Sequence, residues 1–271
     1  MTADPLAPLL DLADVRDAVN AARDRVDQAM RHRALRRQGG QVAAEVSLRS
    51  AVASAALEGY AHEREAVRAG TVTDPVLQGA LRVAGALPGL ADLWAKAPRQ
   101  VLAKLHVLAA RGAVAPSDLG HPAGPTARLD ALAALVTGGT KVPPLVLAAV
   151  VHGELLALRP FAGPSGVVAR AAARLTLISG GFDPRGLLAV EVGHLTRQPE
   201  YVGAAGAFAT GTPDGLRSWL RHYCTAVTTS ADELESVCAA FLDGAAPPAP
   251  PLRVDQGQPP LRVDQGHTAV L

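Results

Sequence analysis

Aromatic side chains make up only 3% of this 271-residue chain, although 49% of it is hydrophobic. The apolar content is mostly Ala, Leu and Val. Alanine is the best intrinsic helix former, so the composition points to an all-α protein. Lysine is nearly missing: only Lys96, Lys104 and Lys141 stand among 26 basic residues. The accompanying enrichment in Arg, Ala, Gly and Pro matches a high-GC coding bias. A net charge of +1 removes any global electrostatic case for nucleic acid or an anionic membrane. No apolar run approaches the ~20 residues that span a bilayer. The chain starts without the basic-then-apolar pattern of a secretory signal. Its two cysteines, Cys224 and Cys238, fall in one expected helix. A rise of ~1.5 Å per residue sets them ~21 Å apart, too far for a disulfide. Free thiols suit a reducing compartment, so a soluble cytoplasmic protein is expected.

Glycine and proline punctuate what is there. Residues 6–37 are helix-prone, with Asp11, Asp14 and Asp17 early and Arg31, Arg33, Arg36 and Arg37 late, as the helix macrodipole favours. Gly39-Gly40 is expected to end this helix. Residues 41–69 read as a second helix, broken or weakened at Gly59, and Thr73-Asp74-Pro75 opens a third near 74–86. Pro88-Gly89 signals a turn, and Pro98 starts a helix running to Arg111. A Gly/Pro-rich loop covers 112–126, and a short helix covers 127–137. Pro143-Pro144 then opens a helix over 144–158 that has no polar face and is expected at the buried centre. Later helices are expected over 167–179, near 185–194, and over 198–210 and 213–242. From residue 244 the chain is Pro-rich and carries a tandem nonapeptide, residues 250–258 and 259–267, which reads as a disordered tail.

The run that carries chemistry is Arg159-Pro160-Phe161-Ala162-Gly163-Pro164-Ser165-Gly166-Val167-Val168-Ala169-Arg170. It resembles the active-site motif of the Fic (Fido) family, His-Pro-Phe-x-Asp/Glu-Gly-Asn-Gly-Arg-x-x-Arg. Pro160, Phe161, Gly166 and Arg170 stand where that motif puts them. Arg159 replaces its catalytic His, Gly163 its metal-binding acid, and Val167 its first Arg. His152, seven residues earlier, Leu105-His106, Tyr201 and Trp219-Leu220 also match in order and spacing. The similarity runs from about 42 to 228. Ser54-Ala55-Ala56-Leu57-Glu58-Gly59 resembles the family's inhibitory-helix pattern, Ser/Thr-x-x-x-Glu-Gly/Asn. The resemblance implies an all-α Fic-fold bundle around a central buried helix, with the flap hairpin reduced or absent. It divides the chain into an N-terminal helical region, 1–95, that includes the inhibitory-type helix 41–59; a core with C-terminal helices, 96–243; and the tail, 244–271.

In that family AMP is moved from ATP to a protein hydroxyl, with Mg²⁺ bound at the motif's acid. Arg159 stays protonated and cannot be the base. Gly163 offers a metal nothing, and Pro164 lacks an N–H for phosphate. Three prolines in 112–126 remove donors that a target-docking strand would need. Ordinary transfer is therefore expected to be lost, with no cofactor required, Mg²⁺ not expected and ATP left open. Arg159, Ser165, Gly166 and Arg170 are the anion or nucleotide candidates, with Ser165 expected to cap the helix after the loop. Ser54, Glu58 and Gly59 are the inhibitory candidates, and a buried bidentate Glu58–Arg170 ion pair is expected. His152 is expected in the core. A regulatory or binding role toward a protein partner leads, and a divergent transferase gated by Glu58 is the alternative. The family's habits allow a homodimer. Nucleic acid, read only from Arg31–Arg37, and membrane are not expected.

Overall fold

A computed structural model describes residues 3–124 and 126–244. Among them the secondary structure is helical, apart from one isolated bridge between Arg111 and Val114. The first half holds α1 (Val15–Met30), α2 (Ala34–Arg37), α3 (Gly39–Leu57), α4 (Arg64–Arg68), α5 (Pro75–Ala86), α6 (Ala91–Trp94) and α7 (Pro98–Ala110). The second holds α8 (Ala127–Ala134), α9 (Pro144–Leu158), α10 (Ser165–Ser179), α11 (Val190–Thr196), α12 (Gln198–Ala209) and α13 (Pro213–Leu242). Proline opens α5, α7, α9 and α13, where its fixed φ is preorganised and its missing N–H leaves no helix bond unmade. Asp74 and Thr212 cap two of these starts, accepting from the Leu77 and Gly215 N–H groups at 2.8 and 3.2 Å.

Apolar all round, α9 is buried at 145, 146 and 148–155 and forms the axis of the fold. It packs against α10, α12 and α13, while α3 packs against α5, α10 and α11. Trp219 of α13 donates its Nε1–H to the Ala149 carbonyl of α9 at 2.7 Å, fixing one helix on the other. A Cβ at Gly153 would lie within 2.8 Å of the Phe208 ring, so glycine is what lets α12 approach this closely. The stripe Val15, Val19, Ala22, Val26 and Ala29 buries α1 against α13. No helix among the described residues is long and apolar enough to cross a membrane. Cys224 and Cys238 are both buried, free, and in α13.

Several boundaries differ from those expected. The helix-prone stretch 6–37 splits into a 3-10 turn (Ala7–Asp11), α1 and α2. Asp14 sits in the left-handed region at φ 61, held there by Arg217 of α13, so the helix restarts after it. Gly39-Gly40 begins α3 and ends nothing; the break falls at Gln38, and a Cβ at Gly39 would meet Arg185 Nη2 at 2.6 Å. The expected helix 41–69 stops at Leu57. Gly59 takes φ 93, its N–H bonds the Ala56 carbonyl and the Tyr60 N–H reaches back to Ala55, which is a Schellman cap. Residues 185–189 are not helical, because buried Asp183 accepts the Leu187 and Leu188 N–H groups at 2.8 and 2.9 Å and holds a turn. The 112–126 loop contains a 3-10 turn (Pro116–Asp118) and no strand among its described residues. The expected tail, apart from Gly244, lies outside the described residues.

Candidate functional site

The motif loop connects the two central helices. Arg159 terminates α9 with φ 45, a left-handed conformation unusual for a side chain of its size, and is exposed. Pro160 accepts the Ala123 N–H at 2.7 Å, which ties the 112–126 loop to the motif. Phe161 is buried and stacks on His106 of α7 with ring centroids 4.7 Å apart. The Gly120 N–H donates to His106 Nδ1 at 3.0 Å, so Nε2 carries the proton and donates to the Ala162 carbonyl at 2.9 Å. Burial lowers the His106 pKa, which keeps the ring in this neutral, tautomer-fixed state.

Of the positions that differ from the motif, Arg159 and Gly163 are exposed, while Pro164, Ser165 and Val167 are buried. Gly163 has φ 68, and a Cβ there would lie 2.6 Å from Val114 Cγ1. The bridge that sets Val114 against Arg111 thus brings an apolar side chain over the position of the family's acid. Ser165 does not cap α10. Pro164 is the N-cap residue, Ser165 is the first helical residue, and its buried Oγ has no hydrogen-bond partner.

Four residues converge behind the loop. Arg170, buried to 2% exposure on α10, donates from Nη2 to Glu58 Oε1 at 2.7 Å. Its Nε reaches Ser54 Oγ and its Nη2 the Ser54 carbonyl, both at 2.9 Å. The expected ion pair is present, but it runs through one Glu58 oxygen, with Ser54 taking the rest of the guanidinium. The Schellman turn at Gly59 produces this arrangement: α3 ends one residue before Glu58, and the carboxylate swings past the helix end toward α10. Gly166 completes it, since a Cβ there would stand 2.1 Å from Glu58 Oε1. The carboxylate therefore lies directly on the first turn of α10, the positive end of that helix dipole. Burial opposes the Arg170 charge, yet Tyr201 and Glu58 outweigh it and hold the guanidinium above its ordinary pKa.

His152 lies wholly in the core, with Nε2 3.0 Å from the Tyr201 hydroxyl. Burial, and then Arg170 and His222, push its pKa well below the ordinary value. The Tyr201 hydroxyl also meets Arg170 Nη1 at 3.4 Å, so His152 joins the clamp from behind and does not face the loop as a base would. Sequence reasoning placed Tyr201 and His106 by resemblance but gave them no role. It missed Val114, for which the sequence held no signal.

No family model matches the sequence, and no curated protein matches it. Solved structures do. A Fic family protein from Desulfovibrio desulfuricans G20 superposes with a TM-score of 0.64 at 22% identity, covering 84% of this chain and 76% of its own. Fic-1 (residues 134–508) from C. elegans gives 0.63 at 16% identity, covering 88% and 76%. The chain has the Fic fold. At such identities the likeness establishes architecture, and activity rests on the residues present. For Mg²⁺ they do not fit: the Fic acid position is Gly163, which has no side chain to offer a metal, and no group of three His, Cys, Asp or Glu among the described residues could hold one.

Proposed function

We infer that this Fic-fold protein has lost AMP transfer and acts as a regulatory or binding protein, with another protein as its partner. The observation that carries the reading is the loop itself. A guanidinium stands at the position of the base, and a glycine, with no side chain to offer, stands at the position of the metal ligand. General-base assistance is worth about 10²–10⁴ in rate, and the lost metal several kcal/mol of barrier. These act on different parts of one step, so the deficits compound. The Glu58–Arg170–Ser54 clamp is then scaffolding that locks α3 to α10.

A second reading has its own support. Glu58 sits against Gly166 at the positive end of α10, in the space an anion would take. In this reading the clamp gates a nucleotide pocket in a divergent transferase.

Calorimetric titration of ATP, with and without Mg²⁺, into the wild type and Glu58→Gly separates the two. The scaffolding reading expects binding in neither, with the variant folded but less stable, and no transfer of labelled AMP to protein. ATP binding that appears only in Glu58→Gly, accompanied by AMP transfer, would overturn it in favour of the gate.

A further inference from the structure

Away from the motif loop, α12 and α13 leave a groove of about 620 Å³ between them. The helices form it by residue size. Gly203 and Ala204 line the α12 side, and a Cβ at Gly203 would meet nothing within 4 Å, so the space is unfilled. Opposite, Ser218, Arg221 and Thr225 recur every three or four residues and form one polar stripe of α13. Pockets that bind small molecules span roughly 300–1,000 Å³, so the volume suits a ligand of several heavy atoms.

We propose that this groove is a binding site for a small phosphate-bearing anion, gripped by Arg197 and Arg221, with His222 in its wall. Three guanidinium groups line it, from Arg197, Arg217 and Arg221, against the carboxylates of Glu200 and Asp214. Arg217 is already committed: it donates to Asp14 Oδ2 at 2.6 Å and to the Ala13 carbonyl at 3.0 Å. Arg197 engages Glu200 through Nη1 alone, at 3.0 and 3.1 Å, on the protein surface. Arg221 meets Asp14 only at 3.6 Å, longer than a hydrogen bond, and half of its side chain is exposed. Exposed pairs of this kind are worth about 0–1 kcal/mol, so a phosphate taking two charge-assisted bonds displaces them readily.

His222 forms part of the groove wall. It lines the groove yet is buried, and its Nδ1 has no partner. The other nitrogen is held 3.0 Å from His194 Nδ1, which fixes the ring. Ser218 adds a hydroxyl donor on the same stripe, whereas Thr225 already donates to the Arg221 carbonyl at 3.0 Å. The site is separate from the motif loop and does not depend on whether that loop binds nucleotide.

The test uses the full chain and inorganic pyrophosphate as the probe, at fixed ionic strength. Binding is followed by calorimetry and by the His222 imidazole resonances. Saturable binding is expected, together with a shift of the His222 signals. Arg197→Gln combined with Arg221→Gln should weaken it at least tenfold, while Arg159→Gln leaves it unchanged. Both groove arginines are at the surface, so unchanged melting temperatures would confirm that the variant remains folded. Absence of saturable binding in the wild type overturns the proposal. So does a loss that follows Arg159→Gln and not the groove pair, which would put the anion on the motif loop.

Discussion

Glu58 and Arg170 are the pair on which the site turns, and a double-mutant cycle measures what they do. Glu58→Gln keeps the shape and removes the charge. It leaves a guanidinium that is 2% exposed facing only neutral acceptors. Breaking a buried ion pair by removing one partner typically costs about 3–5 kcal/mol. Here Glu58 retains 18% side-chain exposure, and Ser54 still accepts from Nε and Nη2. The expected loss is therefore smaller, about 2 kcal/mol, or a fall of about 4–8 °C in melting temperature for a domain of this size. Arg170→Met removes the buried charge itself, and Glu58 can then turn to solvent. The double variant should lose less than the sum of the two, with a coupling of about 1.5–2 kcal/mol. Urea unfolding of the four proteins, with m-values compared, gives the number. A coupling below about 0.5 kcal/mol, or Glu58→Gln as stable as the wild type, would refute the claim that this contact holds α3 to α10.

Gly166→Ala sets a Cβ 2.1 Å from Glu58 Oε1 and 2.9 Å from Arg170 Nη1, so it should destabilise by about 1–3 kcal/mol; the same change in a Glu58→Gly background should be nearly neutral, and equal losses in both backgrounds would count against the arrangement. Gly193→Ala should be at least as damaging, because its Cβ would lie 2.1 Å from the Ala226 carbonyl where α11 crosses α13, and backbone cannot step aside; calorimetric melting checks it. Acid should weaken the fold. Burial pushes His222 down to about 4 from an ordinary 6.5 and lowers His152 and His194 in the same direction, so the unfolded chain binds more protons below pH 6.5. Stability is thus fully present above pH 6.5 and lost on acidification, by about 2 kcal/mol between pH 6.5 and 5 from His222 alone. Asp183 opposes this: burial raises it to about 6 from 3.8, which returns about 1 kcal/mol over the same range. Urea midpoints at pH 7 and 5 decide the net sign, and a chain more stable at pH 5 would show that the buried imidazoles do not dominate.

Much of the fold was legible because proline and glycine act locally. Pro75, Pro98, Pro144 and Pro213 each open the helix assigned to them, since the first helical position is where a proline fits without loss. The Glu58–Arg170 pair was expected only through the resemblance of residues 54–59 to the inhibitory-helix pattern; the turn at Gly59 that delivers it was read as a weak point inside a longer helix. Gly39-Gly40 misled because a glycine pair is equally compatible with stopping a helix and with making room for Arg185 beside the next one. Ser165 misled because Pro164 already took the cap position, leaving the hydroxyl inside the helix. Contacts between distant segments left no local trace. Val114 reaches Gly163 from a loop some fifty positions earlier, and His194 meets His222 across two helices buried on several sides. In α9 and α12, where nearly every position is apolar, periodicity gives no direction, so the neighbours are chosen by shape. Gly153 under Phe208 is where that choice is made between α9 and α12, as Gly193 under Ala226 is between α11 and α13, and only the assembled core reveals them. The same limit applies to the chemistry. The motif's substitutions announce a missing base and a missing metal ligand, but whether the vacated space persists depends on what packs there. Val114 stands beside Gly163 and Glu58 beside Gly166, so on the proposed reading a histidine returned to position 159 would not by itself restore transfer.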